Sequence, residues 1–330
     1  MSNSLHAAVT GLGFTVPQKL LTNQDFEKFL DTSDEWITKR TGIKQRHVVA
    51  DGQSTADLAT EAGRKALAQA GLDPKDLDLI VVATITPDMP FPATACFVQR
   101  ALGATDVASF DLSAACSGFV YGLAIGSTFI ETGMYRRILV IAADALSRFV
   151  DYTDRRSCIL FGDGAGAVVL EATNDPGRGI FYNVLHADGA GWDYIHVPAG
   201  GAKYPASEET IRQRAHFIKM RGRDVYKFAV EKMQWLLGEC MKQCGLGVDD
   251  IDMVIPHQVN IRIIRSAAEK NNFPMEKVYV NIDRYGNTSG ASIPIALTEA
   301  YEDGRIGPGS TVLLVAFGAG LTWAATALRL

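Results

Sequence analysis

Five cysteines in 330 residues, with no regular spacing, are too few and too scattered for a disulfide framework. None joins histidines at zinc spacing: Cys240 and Cys244 lie one helical turn apart, with no second ligand pair nearby. No apolar run is long enough to span a bilayer. Met1 to Leu5 carry no positive cluster, so a signal peptide is not expected. Excess positive charge is also missing. The formal net charge is -5, which argues against a nucleic-acid binder. No segment is of low complexity. What remains, 47% hydrophobic and 21% charged, is the composition of a soluble globular protein, with the cytoplasm as its expected compartment. The length suits one large domain or two halves sharing a core.

The chain alternates strand and helix patterns. Leu5 to Phe14 and the continuous apolar run Leu77 to Thr84 read as strands, and Ala56 to Ala70 reads as a helix. This is the grammar of an α/β fold with buried sheets. An internal echo goes further. Gln69-Ala70-Gly71-Leu72 and the strand Asp76 to Val81 recur 174 residues later as Gln243-Cys244-Gly245-Leu246 and Asp250 to Ile255. Arg137 to Ala142 recurs at the same spacing as Thr311 to Ala316. Part of each match is shared βα grammar, but three pieces at one spacing point to a duplication. Turn formers from Asn174 to Gly177 mark the join, giving expected halves 1–174 and 175–330. Pro198 to Ser207 reads as a loop-rich excursion.

Three positions carry candidate chemistry. Cys116 stands in a run of small residues between the strand-like Val107 to Leu112 and the helical Phe119 to Thr132. Exposed N–H groups and the helix dipole at such a junction favour a thiolate. The plainer alternative is an inert buried cysteine. His257, in Pro256-His257-Gln258-Val259-Asn260, follows the buried strand Ile251 to Ile255, at the strand end where open sheets place ligands. It is either functional there or a hydrogen-bonded structural histidine. Asn287 follows a short strand expected over Val278 to Ile282 and precedes a small-residue helix from Ala291 to Tyr301. Its setting is that of Cys116 in the other half, or that of an ordinary turn asparagine beside glycine. Phe161 to Gly166 lacks the ending of a phosphate loop and reads as a tight turn between strands. Phe317-Gly318-Ala319-Gly320, between two apolar runs, offers backbone N–H groups to an oxyanion.

The ordered set Asp111 to Phe119, Phe161 to Gly166, Pro256 to Asn260, Gly286 to Ser292 and Phe317 to Gly320 resembles the β-ketoacyl-[acyl-carrier-protein] synthase III family. Thr32 to Ile37 and Arg40 to Ile43 extend the likeness nearly end to end. The resemblance implies the thiolase fold: duplicated α/β halves in a layered α-β-α-β-α architecture. It implies an acyltransferase that condenses an acyl-CoA, acetyl-CoA above all, with malonyl-acyl carrier protein. Cys116 would carry the acyl group, and His257 and Asn287 would stabilise the enolate. Backbone N–H groups of Cys116 and Ala319 would hold the second oxyanion, although the family often has glycine at the latter position.

Coenzyme A would bind at Thr32, Trp36, Arg40, Arg155, Gly222 and Asn260. Trp36 is equally read as a core residue, and Arg223 departs from the uncharged residue of some members. Carrier-protein contacts carry over to Gln258, Val259, Asn260, Ile261, Arg262 and Lys227, although a solvated helix face explains the basic residues as well. Phe317 and Phe91 would bound the acyl pocket, with Phe91 reaching in from the partner of a homodimer rather than merely covering its own core. No tightly bound cofactor and no metal are implied; the CoA thioester and the carrier's phosphopantetheine are substrates. The rivals are a related condensing enzyme of secondary metabolism, a papain-like Cys-His-Asn hydrolase and a non-catalytic carrier-protein scaffold.

Overall fold

A strand apolar along its whole length needs cover on both faces. Leu79–Ala83 and nearly all of Arg137–Asp144 are such strands, and a computed structural model, which describes residues 5–330, covers both faces with helices. The first four residues of the stretch read for a signal peptide lie outside the described residues.

The chain begins with β1 (His6–Thr15), β2 (Lys19–Thr22), α1 (Asn23–Glu27), α2 (Asp34–Thr41) and β3 (Gln45–Val48). It continues through α3 (Thr55–Ala70), β4 (Leu79–Ala83), α4 (Thr94–Leu102), β5 (Ala108–Leu112), α5 (Gly118–Glu131), β6 (Arg137–Asp144) and β7 (Gly164–Thr173). After a turn come β8 (Gly179–Ala187) and an excursion holding β9 (Ile195–His196), α6 (Glu208–Arg212) and β10 (Lys219–Met220). The rest is α7 (Gly222–Cys244), β11 (Met253–Pro256), α8 (Ile261–Lys270), α9 (Ile282–Tyr285), α10 (Ser292–Glu302), β12 (Thr311–Gly318) and β13 (Thr322–Arg329).

Two sheets result. The first runs β1-β7-β6-β4-β5, with β4 parallel to β6 and β5 and β7 antiparallel to its neighbours. The second runs β11-β12-β13-β8. Helices α5 and α10 touch strands of both sheets and form the middle layer, α3 and α4 cover the first sheet, and α7 and α8 cover the second. Because α5 is packed from both sides it is apolar all round. It also needs glycine where a strand comes close: a Cβ on Gly122 would lie 2.8 Å from Val140 Cγ1.

Two sequence expectations change. Val278 to Ile282 is not a strand; only Val278 bridges Val254, and α9 follows. The Gln258 side chain explains why. Its amide donates to Tyr279 O (3.0 Å) and accepts from Asn281 N (3.1 Å), taking backbone groups that a ladder would have used. Phe161 to Gly166 is not a tight turn between strands either. Gly164 to Gly166 already belong to β7, and Gly162 N donates to Asn287 O (3.0 Å) in the other half. A Cβ on Gly162 would lie 2.4 Å from Tyr285 O, and one on Gly166 would lie 2.7 Å from Pro294 Cβ. These glycines permit the halves to approach.

Candidate active site

The two halves meet at equivalent helix starts. In the first, β5 ends at Leu112 and a short 3-10 turn, Ala115–Ser117, leads into α5. This turn presents Cys116. In the second, Ser289–Ala291 leads into α10 and packs on the first turn. The β12–β13 hairpin closes over the first. A Cβ on Gly318 would lie 2.7 Å from Cys116 N, so only glycine lets the strand reach the backbone of Cys116. Thr322 Oγ1 lies 3.1 Å from Ala114 O and 3.2 Å from Ser117 Oγ, linking the hairpin to the cysteine turn.

Cys116, His257 and Asn287 line one cavity of about 440 Å³, together with Phe317, Ala319 and Ser289. His257 stands at the end of β11, fully buried, its ring at 73° to that of Phe317 with 5.6 Å between centroids. Its Nδ1 lies 2.7 Å from Ser292 Oγ, which already accepts from Gln258 N (3.2 Å). The serine proton has no other acceptor among the described hydrogen bonds, and giving it to Nδ1 leaves the imidazole hydrogen on Nε2. Nε2 is buried and has no partner, a donor held ready. Burial pushes the imidazole pKa down to about 3, so the ring stays neutral. Asn287 is pinned by both halves. Its N–H donates to Leu160 O (2.8 Å), and its Oδ1 accepts from Ser289 N (2.8 Å), which leaves the amide N–H₂ to the cavity.

The cysteine differs from expectation. Mostly apolar walls push the Cys116 thiol up to about 12; the Ser289 hydroxyl opposes that shift and the Asp144 charge adds to it. Burial therefore acts on the thiol in the sense opposite to that expected of a cysteine at a helix start. Asp144, at the end of β6, is buried and pushed up to about 6 by desolvation, against donors from Ile85 N, Ser289, Thr86 and Thr84. Neither Asp144, Ser289 nor Ser292 was singled out from the sequence. The signal was present for Asp144, a charged residue closing a fully buried strand.

An outer basin of about 810 Å³ shares Leu160, Met220, Val225 and Val259 with the inner cavity and leads into it. Trp36, Arg40, Arg155, Gly222, Asn260 and Arg262 line it, as does Arg223. Trp36 is half-exposed rather than core, with the Arg40 and Arg155 guanidinium carbons 5.3 and 5.7 Å from its ring centroid. Arg155 also pairs with Asp31 (3.2 Å). The Asn260 side chain caps α8, accepting from Arg262 N (2.9 Å) and donating to Arg40 O (3.0 Å). Thr32 does not line the basin; its hydroxyl is buried without a partner. Gln258 is 1% exposed and its amide is spent on backbone, so its side chain is not a carrier-protein contact. Ile261 is half-buried, whereas Lys227 is exposed. Phe91 lies on a proline-bracketed loop, 83% exposed, outside the cavity of its own chain. The excursion adds a wall the sequence did not suggest, formed by Trp192, Ile195, His196 and Val197.

The chain matches known proteins along its whole length. The family model described as 3-oxoacyl-[acyl-carrier-protein (ACP)] synthase III matches residues 110–189, and the one for its C-terminal region matches residues 241–330. A relative from Caldanaerobacter subterraneus subsp. tengcongensis, named beta-ketoacyl-[acyl-carrier-protein] synthase III, is 53% identical over 329 residues, covering 100% of this chain and 99% of that one. The crystal structure of 3-oxoacyl-[acyl-carrier-protein] synthase III from Aquifex aeolicus VF5 superposes with a TM-score of 0.91 at 45% identity, covering 98% of this chain and 100% of that chain. The priming beta-ketosynthase from the R1128 polyketide biosynthetic pathway gives a TM-score of 0.91 at 33% identity, covering 99% and 97%.

Proposed function

The chain belongs to the β-ketoacyl-[acyl-carrier-protein] synthase III family, and from that premise we propose which of its residues carry the reaction. The enzyme is an acyltransferase of fatty acid synthesis. It joins an acyl-CoA to malonyl-[acyl carrier protein], giving 3-ketoacyl-[acyl carrier protein], CoA and carbon dioxide. The observation that carries the residue assignment is the convergence of Cys116, an unpartnered His257 Nε2 and the Asn287 amide on one cavity.

Cys116 Sγ attacks the thioester carbonyl of the acyl-CoA, CoA leaves, and the acyl group stays on the enzyme. Malonyl-carrier protein follows. Its C–CO₂ bond breaks, and the electron pair passes into an enolate whose oxygen becomes negative. His257 Nε2–H and the Asn287 amide donate to that oxygen. A neutral imidazole suits this role, because it gives a hydrogen bond without giving up its proton. The enolate carbon then attacks the acyl-Cys carbonyl, whose developing charge meets the N–H groups of Cys116 and Ala319, and Cys116 is expelled.

Trp36, Arg40, Arg155 and Gly222 in the outer basin serve the CoA nucleotide and its phosphates, and exposed Arg262 and Lys227 serve an acidic carrier protein. The working enzyme is a cytoplasmic homodimer, a reading supported by the unpaired edge of β5 among the described residues and by exposed Phe91, which enters the partner's acyl pocket. A phenyl ring at the pocket end favours acetyl over longer starters. Among the described residues no helix is long and apolar enough to cross a membrane.

The test is mass spectrometry of the protein mixed with acetyl-, butyryl- and octanoyl-CoA, followed by digestion. Acetyl is expected on Cys116, with octanoyl gaining when Phe91→Ala opens the pocket. Label on Cys96 or Cys158 instead would overturn the nucleophile assignment. An unchanged chain-length profile in a folded, dimeric Phe91→Ala would overturn the pocket assignment. Preference for a long or branched starter in the parent would move the enzyme toward secondary metabolism.

A further inference from the structure

Arg46, on β3, is fully buried, and its hydrogen-bond partners include no carboxylate among the described residues. Apolar side chains of similar volume often serve stability as well as buried ions do, so stability alone does not account for an arginine here. Its partners show what it holds. Nη1 donates to Leu21 O (3.2 Å) and Asn23 Oδ1 (2.9 Å), and Nη2 donates to Ile159 O (2.5 Å). The planar fork thus ties β2 and the first residue of α1 to the segment 159–162. That segment fixes the backbone of Asn287. Phe161 and Asn287 form an isolated parallel bridge, in which Asn287 N donates to Leu160 O (2.8 Å) and Gly162 N to Asn287 O (3.0 Å). The arginine stem packs against both sides of the bridge: a Cβ on Gly162 would lie 3.0 Å from Arg46 Cβ, and one on Gly286 would lie 3.4 Å from it.

We propose that Arg46 is a positioning residue for the Asn287 amide: its guanidinium anchors the segment 159–162, and that segment sets Asn287 against the cavity. The inference rests on Asn287 being a donor to the enolate. Arg46 lines neither the inner cavity nor the outer basin, so it acts on the reaction only through what it holds. Oxyanion donors work by being in place before charge develops, and small displacements of them are costly. The three acceptors lie on two separate stretches of chain, so the fork is needed and not the charge alone.

Arg46→Met keeps an unbranched stem and removes every donor. The kcat of malonyl-carrier decarboxylation should fall about ten- to a hundredfold, the scale for a slightly misplaced catalytic group. The KM for malonyl-carrier protein should stay within a few-fold. So should single-turnover acetyl transfer to Cys116, which is presented by the other turn. In an Asn287→Ala background the same substitution should cost nothing further in decarboxylation, as expected if it acts through that amide. Arg46→Lys keeps the charge, but one ammonium cannot reach both stretches. It should show the same selective loss, and it decides alone if Arg46→Met does not fold. Parental decarboxylation in Arg46→Lys, equal loss of both half-reactions, or losses that multiply with Asn287→Ala would each overturn the positioning role alone. Parental decarboxylation in Asn287→Ala itself would overturn the donor assignment and the positioning role with it.

Discussion

The two halves repeat one backbone at a spacing of 174 residues and differ where the chemistry sits. Asp78 N donates to Arg137 O (2.8 Å) and Arg137 N to Asp78 Oδ2 (2.9 Å); Asp252 and Thr311 exchange the same pair at 3.0 and 2.7 Å. Gly71 and Gly245 end α3 and α7 at φ 69° and 64°. Ala115 and Ser289 share a positive φ, 47° and 54°, just before their helices. Against this sameness, Cys116 has Gly290 as its counterpart, Asp144 has Gly318, Ser292 has Gly118, His257 has Ala83 and Asn287 has Ser113. Each of these side chains in one half corresponds to a small residue in the other. Because the equivalent turns pack on each other, that residue leaves room. A Cβ on Gly290 would lie 3.3 Å from Ala115 O, and one on Gly118 would lie 3.0 Å from Ala83 Cβ. One site at the junction therefore needs unequal halves.

The sharpest division of labour is between the proposed nucleophile of the first half and the proposed donors of the second. Cys116→Ala should leave no acyl adduct and lower condensation on the order of a million-fold, the scale for losing a nucleophile. His257→Ala and Asn287→Ala should lower malonyl-carrier decarboxylation about a hundred- to thousandfold, as for one lost oxyanion donor, while Cys116 is still acylated at a rate much nearer the parent's. Equal loss of both half-reactions would make the second half a cysteine activator instead.

Ser292 opposite Gly118 gives a smaller effect. Ser292→Ala removes the group that holds His257 Nδ1, and such supporting contacts typically contribute ten- to a hundredfold. The loss should fall on decarboxylation. The pH profile adds a check on the same ring. With the imidazole pKa depressed to about 3, protonation begins only well below neutrality. Decarboxylation kcat/KM should therefore show no His257 titration from pH 5.5 to 8, and a break near 6.5 that persists in Asp144→Asn would mean that the ring is far wetter than its burial implies.

How much of this was readable beforehand follows from the same comparison. Sequence echoes survive where both halves perform one structural task, as in Gln69 to Leu72 and Gln243 to Leu246, and there the elements fall near their expected bounds. The echo fades where one half has diverged. Val278 to Ile282 looked like a strand because its pattern is apolar, but a distant glutamine amide took its ladder groups, and no local pattern encodes that. Cys116, His257 and Asn287 stood out by residue type at element ends. Ser289 and Ser292 are ordinary small polar residues, and their contacts to Asn287 and His257 exist only after folding.

Gly318 tests the spacing between halves. Gly318→Ala places a Cβ against the backbone N of Cys116, which has no flexible side chain to yield. Overpacking of this kind costs about 1–3 kcal/mol, or a few degrees of Tm for a chain of this size. Acylation should slow along with it, because the nucleophile's turn is what moves. A variant with unaltered Tm and acylation would mean that the hairpin has slack.

The smallest effect separates Asp144 from Gly318 by pH. Burial raises the folded pKa of Asp144 from 3.8 to about 6. Between those values the folded state holds a proton that the unfolded state has released, so stability from this group is greatest below about pH 4 and declines as pH rises through 6. Above that it levels off, at a deficit on the order of 3 kcal/mol if the whole shift is expressed. Other carboxylates, such as Asp151 paired with Arg214, titrate in the opposite sense and hide this in the parent's own curve. The difference between Asp144→Asn and the parent isolates it. The Asn variant keeps an oxygen for the three donors but carries no charge, so its Tm relative to the parent should climb from pH 4 to pH 7 and then stay level. A difference that is constant or shrinks over that range would show that Asp144 is solvated as well in the folded chain as in the unfolded one.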